Sequence, residues 1–189
     1  MDQTAMIAKV LGETNRVVDG IEPSQLDDPS PCDEWTVRDV LNHITSGATM
    51  FAVCVRDGSI SDEQLGELMV SDNLGTDYKG AFRDASAAAL AAFDEPGAVD
   101  KMVKLPFGEM PAGMAINIAI FDVATHTWDL ARSTGQQMQL DPEVLAAAYE
   151  LAQAMIPNMR ANGVVGEEVI VAVDAPMEDR LAGLAGRTP

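Results

Sequence analysis

Residues 112–133 read AGMAINIAIFDVATHTWDLARS. Wound as a helix of about 3.6 residues per turn, the stretch sends Met114, Ile116, Ile118, Ile120, Phe121, Val123, Trp128 and Leu130 in almost every direction. A helix that is apolar nearly all round is a buried one. One narrow stripe breaks the pattern, where Asp122, His126, Asp129 and Ser133 share a face. Gly135 supplies a stop signal. The rest of the chain must therefore surround this helix, and any chemistry it carries lies along the stripe.

Working outward, Thr36 and Asp39 form a capping-box pattern, and Trp35 and Val40 have hydrophobic-staple spacing. The helix they start has an apolar face of Val37, Val40, Leu41, Ile44, Ala48, Phe51 and Val55, with His43 on its flank and a stop at Asp57-Gly58-Ser59. Ile7, Val10, Leu11, Thr14, Val17, Val18 and Ile21 predict an earlier amphipathic helix. An alanine-rich helix is expected over about 77–93. Another starts at Asp141-Pro142 and runs to Met159, with Pro157 expected to kink or fray its end. A short terminal helix covers about 177–184. KMVKLPFGEMP (101–111) predicts two short strands around a Pro-Phe-Gly turn. Residues 59–76 read mostly as a surface connection with room for a short helix, and EEVIVAV (167–173) as an extended stretch, one strand. These elements predict one mainly α domain over 1–189, a helix bundle with a minor β-hairpin.

Composition sets the outer bounds. The 189 residues are 47% hydrophobic and 22% charged, which suits a folded domain with its own core. Thirty acidic residues against 12 Lys and Arg give a charge of −18, with the cations scattered, which argues against a nucleic-acid partner. Met110 to Phe121 is too short and too interrupted to span a bilayer. The first residues lack the basic region of a signal peptide, so a cytoplasmic location is expected. Cys32 and Cys54 have no CxxC spacing and are expected as free thiols. His43 and His126 are the only histidines, so a site that needs two must use both.

Asp122 and His126 lie one helical turn apart. A buried, unpartnered carboxylate is very costly. Three arrangements remove the cost: a hydrogen bond within the pair, an Arg from another helix, or a metal ion shared by both. If the helix of His43 packs beside this one, His43, Asp122 and His126 make a two-histidine, one-carboxylate set. Such a set leaves a coordination position open, and zinc suits it, as do iron and nickel. Asp129 could orient a ligand histidine from behind, or serve the backbone. Cys32 reads first as a small buried residue holding its loop, and second as a group near the metal. Arg132 either pairs with an Asp or reaches substrate. Trp128 and Cys54 read as core.

The stretch PCDEWTVRDVLNHI (31–44) resembles the "PCxGWTVRDLVNHL" signature of actinobacterial proteins related to the N-terminal domain of mycothiol-dependent maleylpyruvate isomerase. DVATHTWDLARSTG (122–135) is similar to that family's "DxxxHxWDLAxAxG". LPFGEMP and the tail DAPMEDRLAGLAGR also look like family features. The resemblance implies a DinB-like four-helix bundle. It implies a divalent metal on His43, His126 and Asp122, the last at a position where the isomerases carry Glu. It also implies a low-molecular-weight thiol, mycothiol, whose thiolate is favoured by the metal and adds to a small electrophile. The full isomerase has a further C-terminal domain, so a smaller metal- and thiol-dependent transferase is expected ahead of the isomerase itself.

Two rivals stand beside this reading. One is a non-catalytic binding or dimerising module that keeps the site residues as a polar core pair; relatives of this fold often pair, so a homodimer is an open expectation. The other is a metal-assisted hydrolase with water at the open position. The acidic surface adds a constraint, because an anionic substrate would need local help from the metal and from Arg132.

Overall fold

Seven helices and one hairpin follow one another along residues 1–189 of the computed structural model. They are α1 (Gln3–Asp19), α2 (Val37–Asp57), α3 (Asp62–Val70), α4 (Tyr78–Phe93), β1 (Met102–Leu105), β2 (Gly108–Pro111), α5 (Ala112–Ser133), α6 (Pro142–Ala161) and α7 (Met177–Leu184). Short 3-10 turns lie at Pro23–Gln25 and Ala98–Asp100. Four helices close a ring, in which α1 packs on α5, α5 on α2, α2 on α4, and α4 on α1. Helices α6 and α7 cover the remaining side of α5. That explains its sequence, since 16 of its 22 residues are buried. One contiguous core of 46 buried residues runs through the bundle. No helix is long and apolar enough to cross a membrane.

The position of α2 is fixed at both ends. At its start the Thr36 hydroxyl accepts from the Asp39 amide, while the Asp39 carboxylate accepts from the Thr36 amide at 2.9 Å. At its end Gly58 takes φ +86, a left-handed cap that glycine adopts without strain. The Gly58 carbonyl accepts from the Lys104 amide at 2.8 Å, which ties the hairpin to this end. The hairpin has the expected antiparallel register, with Leu105 opposite Gly108 and Met102 opposite Pro111.

The loop before α2 folds back on itself. Ser30 donates to the Trp35 carbonyl and Val37 to the Asp28 carbonyl. A turn closes when Trp35 donates to the Cys32 carbonyl at 3.0 Å. Within that turn Glu34 has φ +65, the one non-glycine residue with positive φ. The similar family signature carries glycine at this position, as such a backbone favours.

Two expectations need correction. Residues 59–76 contain a full helix, α3, capped by Ser61 and Gln64 in a second capping box. Residues 167–173 pair with no strand; one bond, from the Val169 amide to the Gly183 carbonyl, pins them to α7. Gly183 is required there, because a Cβ would meet the Val169 carbonyl oxygen and Val171 Cγ2. As expected from the sequence, α6 runs past Pro157, and it continues to Ala161. The Arg160 guanidinium holds that last turn by donating to the Gly166 and Leu184 carbonyls, both at 2.8 Å.

Two stability outcomes follow from the α2 entry. Hydrogen bonds from the Thr36 hydroxyl, then the Thr36 amide, hold the Asp39 carboxyl below its ordinary value of 3.8. A carboxyl lowered in the folded state contributes stability above pH 3.8 and loses it as pH falls through the lower folded value. Thr36→Ala should therefore cost about 1 kcal/mol at neutral pH, a gap that narrows in acid, as urea titrations at several pH values will show. Glu34→Gly should raise stability by about 0.5–1 kcal/mol, the left-handed strain relieved less the entropy glycine loses on folding; an unchanged urea midpoint would count against strain at this turn.

Candidate metal centre

The stripe on α5 faces α2, and there the two histidines meet. His43 Nε2 lies 3.4 Å from Asp122 Oδ1, and His126 Nε2 lies 3.7 Å from the same oxygen. The imidazole centroids are 4.8 Å apart and the rings sit edge to face. One donor atom from each of the three residues falls within 4.8 Å of the others. Neither contact to Oδ1 is a good hydrogen bond, since such bonds run to about 3.2 Å. Zinc with bonds of about 2.0–2.1 Å separates tetrahedral donors by about 3.3–3.4 Å. The trio thus has the spacing of donors around a shared centre.

The tautomer of His126 sharpens this. His126 Nδ1 lies 2.9 Å from Asp129 Oδ2. The same carboxylate accepts two bonds from Arg187, at 3.3 Å from Nε and 3.0 Å from Nη2. Held by that guanidinium, Asp129 is an ionised acceptor, so His126 Nδ1 carries the donated hydrogen. In the neutral imidazole the Nε2 lone pair then points toward the Asp122 oxygen. Two electron-rich atoms facing each other are stabilised by a cation between them. The residues present fit a divalent ion on this chemistry of the donor set.

Electrostatics support the same picture. Burial alone would raise the Asp122 carboxyl, but His43 first, then His126 and Arg187, outweigh it and hold it at about 2. Asp122 keeps 30% of its side chain exposed, so part of this field is screened. Burial would lower the His43 imidazole, yet the charge of Asp122 and its 3.4 Å contact raise it, against Arg187. Arg187 is raised, because Asp129 outweighs the cost of burying it.

Each expected residue has a definite place. Asp129 is fully buried behind His126, where it can orient the ring. Cys32 also lies within 4.8 Å of donors on His126 and Asp129. That second trio is a poor ion site, because Asp129 is already occupied by three N–H donors. Burial pushes the Cys32 thiol up, partly offset by Arg187 and helped by Asp129, Asp33 and Asp122. Cys32 and Cys54 are unpaired, and Cys54 is fully buried. Arg132 is outside the cluster: it is exposed, with its guanidinium 5.5 Å from the Trp128 ring centroid. Trp128 is buried and donates to Asp179 at 2.9 Å.

Two members of the cluster are not apparent as such in the sequence. Arg187 ends the tail DAPMEDRLAGLAGR, and its signal was the need of a buried Asp129 for a cation, which Arg132 was nearer in sequence to meet. Trp35 stacks on His126 with centroids 5.8 Å apart and an interplanar angle of 18°. It also tilts over His43 at 5.0 Å. The fold-back of residues 28–37 delivers it, which staple spacing alone does not reveal.

Residues 7–131 match the family described as Mycothiol maleylpyruvate isomerase N-terminal domain. The chain belongs to that family. Uncharacterised proteins from two strains of Mycobacterium tuberculosis are each 33% identical over 178 residues, 89% of this chain and 88% of theirs. The crystal structure of the mycothiol-dependent maleylpyruvate isomerase superposes with a TM-score of 0.67 at 16% identity, over 91% of this chain and 75% of that one. A point mutant of that isomerase gives 0.68 at 15% identity with the same coverage. The likeness to the isomerase is one of fold, and it places the family's chain here in a DinB-like bundle.

The Asp129–Arg187 pair yields a direct test. Breaking a buried ion pair from one side strands the other charge. Arg187→Ala should cost about 3 kcal/mol in urea unfolding at neutral pH. A loss below about 1 kcal/mol, the value of an exposed pair, would show that Asp129 does not depend on it.

Proposed function

We propose that this chain binds one divalent metal ion through His43 Nε2, Asp122 and His126 Nε2, and that it activates a small thiol against an electrophile. The observation that carries the reading is the convergence of both Nε2 atoms on one Asp122 oxygen, with the His126 tautomer set by Asp129. Zinc fits a set of two imidazoles and one carboxylate, and nickel or iron are the alternatives. The family name and the solved isomerase both carry mycothiol, which makes mycothiol the first thiol to test.

A divalent ion in an open site favours the thiolate form of a bound thiol at neutral pH. The chain's own residues provide the setting. Asp122, held ionised, cancels one of the two charges of the ion. Asp129 fixes the His126 ring, and Arg187 keeps Asp129 an acceptor. Trp35 covers one face of both imidazoles and limits the approach of water. In transfer, the sulfur of the thiolate forms a C–S bond with the electrophilic carbon. In a substitution the leaving group departs with its bonding pair; in an addition the neighbouring carbon takes a proton from solvent. An isomerisation would use the same addition, rotation about the resulting single bond, and loss of the proton and the thiolate.

The experiment has two parts. Metal analysis of purified protein should find about one ion per chain in the wild type and almost none in His43→Ala, since a catalytic site of three protein ligands cannot spare one. Asp129→Asn should weaken metal affinity by about 10–100-fold, as the loss of a ligand's orienting partner does. Thiol consumption with a panel of electrophiles should require both mycothiol and metal and stop on chelation. If the wild type binds zinc, nickel and iron no better than His43→Ala, the metal reading is wrong. Metal-dependent turnover that proceeds without thiol would point to hydrolysis instead.

A further inference from the structure

A cleft of about 600 Å³ opens beside His43. Its floor is α2, from His43 through Ser46 and Gly47 to Met50. Leu65 and Met69 of α3 form one wall, the hairpin turn with Phe107 forms another, and Trp35 closes the end nearest the imidazoles. This volume lies in the range of small-molecule sites, about 300–1,000 Å³. Helix α3 buries no residue fully, yet it turns Leu65 and Met69, one helical turn apart, toward this space. Met69 is 62% exposed and Phe107 55% exposed, so the mouth of the cleft is apolar surface open to solvent.

The charges around it have one sign. Glu34 and Asp39 line the cleft, and no Lys or Arg does. Arg187 and Arg132 are committed elsewhere, Arg187 to Asp129 and Arg132 to the Trp128 ring. An ion on the proposed ligands would not reverse this, because Asp122 and a bound thiolate together cancel its two charges.

Gly47 borders two spaces at once. It lies one turn beyond His43 on α2, and it lines both this cleft and a narrow apolar recess that ends at Asp122. A Cβ built on Gly47 meets no atom within 4 Å. Glycine costs a helix interior about 1 kcal/mol against alanine, and no neighbour requires it here. Its effect is to leave both spaces free of a side chain at this position.

We infer that this cleft takes an uncharged, largely apolar electrophile rather than a carboxylate-bearing one, with Gly47 as the residue that sets its access. The inference names the substrate class for the metal- and thiol-dependent reading above and rests on it for the word electrophile. The cleft itself is tested by binding. Equilibrium dialysis of the full chain, with zinc and mycothiol in saturating excess, compares 2,4-dinitrotoluene with 2,4-dinitrobenzoate, two unreactive probes that differ by one carboxylate. The neutral probe should bind at least about tenfold more tightly, the effect of carboxylates a few ångströms from an added negative charge. Gly47→Leu, whose Cβ enters open space, should weaken the neutral probe about tenfold or more while the circular dichroism spectrum and melting point are kept. Glu34→Lys should narrow the preference for the neutral probe. Equal or tighter binding of the carboxylate, no binding of either probe, or indifference to Gly47→Leu overturns the assignment. Turnover of 1-chloro-2,4-dinitrobenzene with mycothiol reads the transferase separately. Absent turnover with intact, Gly47-sensitive binding rejects the transferase and leaves the cleft assigned to a neutral apolar ligand.

Discussion

The buried Asp129 carboxylate is the constraint around which the site is arranged. It is fully enclosed, and an enclosed charge is tolerated only when its lone pairs are matched. Arg187 supplies two donors and His126 Nδ1 a third. Satisfying Asp129 in this way sets the His126 tautomer and turns Nε2 toward α2. It also docks the residues after α7 against α5 through the two Arg187 bonds to Asp129, while the same arginine donates locally to the Ala185 carbonyl at 2.8 Å. No buried side-chain nitrogen or oxygen is left without a partner, so the polar stripe is compatible with a packed core. One ion pair therefore joins the packing of the chain's last helix to the orientation of a candidate metal ligand.

The helix-level fold was readable because its signals are local. Periodicity, capping boxes and glycine stops act over a few residues, and α1, α2, α4, α5 and the hairpin lie close to where those signals put them. Failures came where distant contacts decide. Residues 169–173 are an unbroken apolar run that reads as a strand, yet they pair with no strand. Helix α3 had a capping box of its own at Ser61 and Gln64, a local signal outweighed by the acidic, glycine-containing composition around it.

The site was legible in part, for the same reason. Asp122, His126 and Asp129 share a stripe on one helix, so spacing alone placed them together. Bringing His43 to them takes the packing of α2 on α5, which no spacing encodes, and only the resemblance of two motifs proposed it. The guanidinium near Asp129 lies 58 residues away in sequence. A buried acid announces that it needs a cation but not which one, and the nearer Arg132 is exposed beside the Trp128 ring. Trp35 was visible as an apolar residue before a cap, but its stacking depends on the turn at Glu34, whose backbone strain is invisible in composition.

The acidity of the chain takes on a more local meaning. A net charge of −18 acts weakly across distance, since exposed charges are screened within about 8 Å at physiological salt. What a ligand meets is the lining of the cleft it enters. There the apolar side chains of Trp35, Met50, Leu65, Met69 and Phe107 outnumber two carboxylates, and no Lys or Arg lines the space. Helix α3 makes the point structurally, as it buries nothing fully and two of its apolar residues face this space. Gly47 does so energetically, because an open helix position that alanine would fill more stably retains the one residue without a side chain. An apolar entrance then suits the proposed chemistry, in which excluding water strengthens every charge interaction around Asp122 and His126.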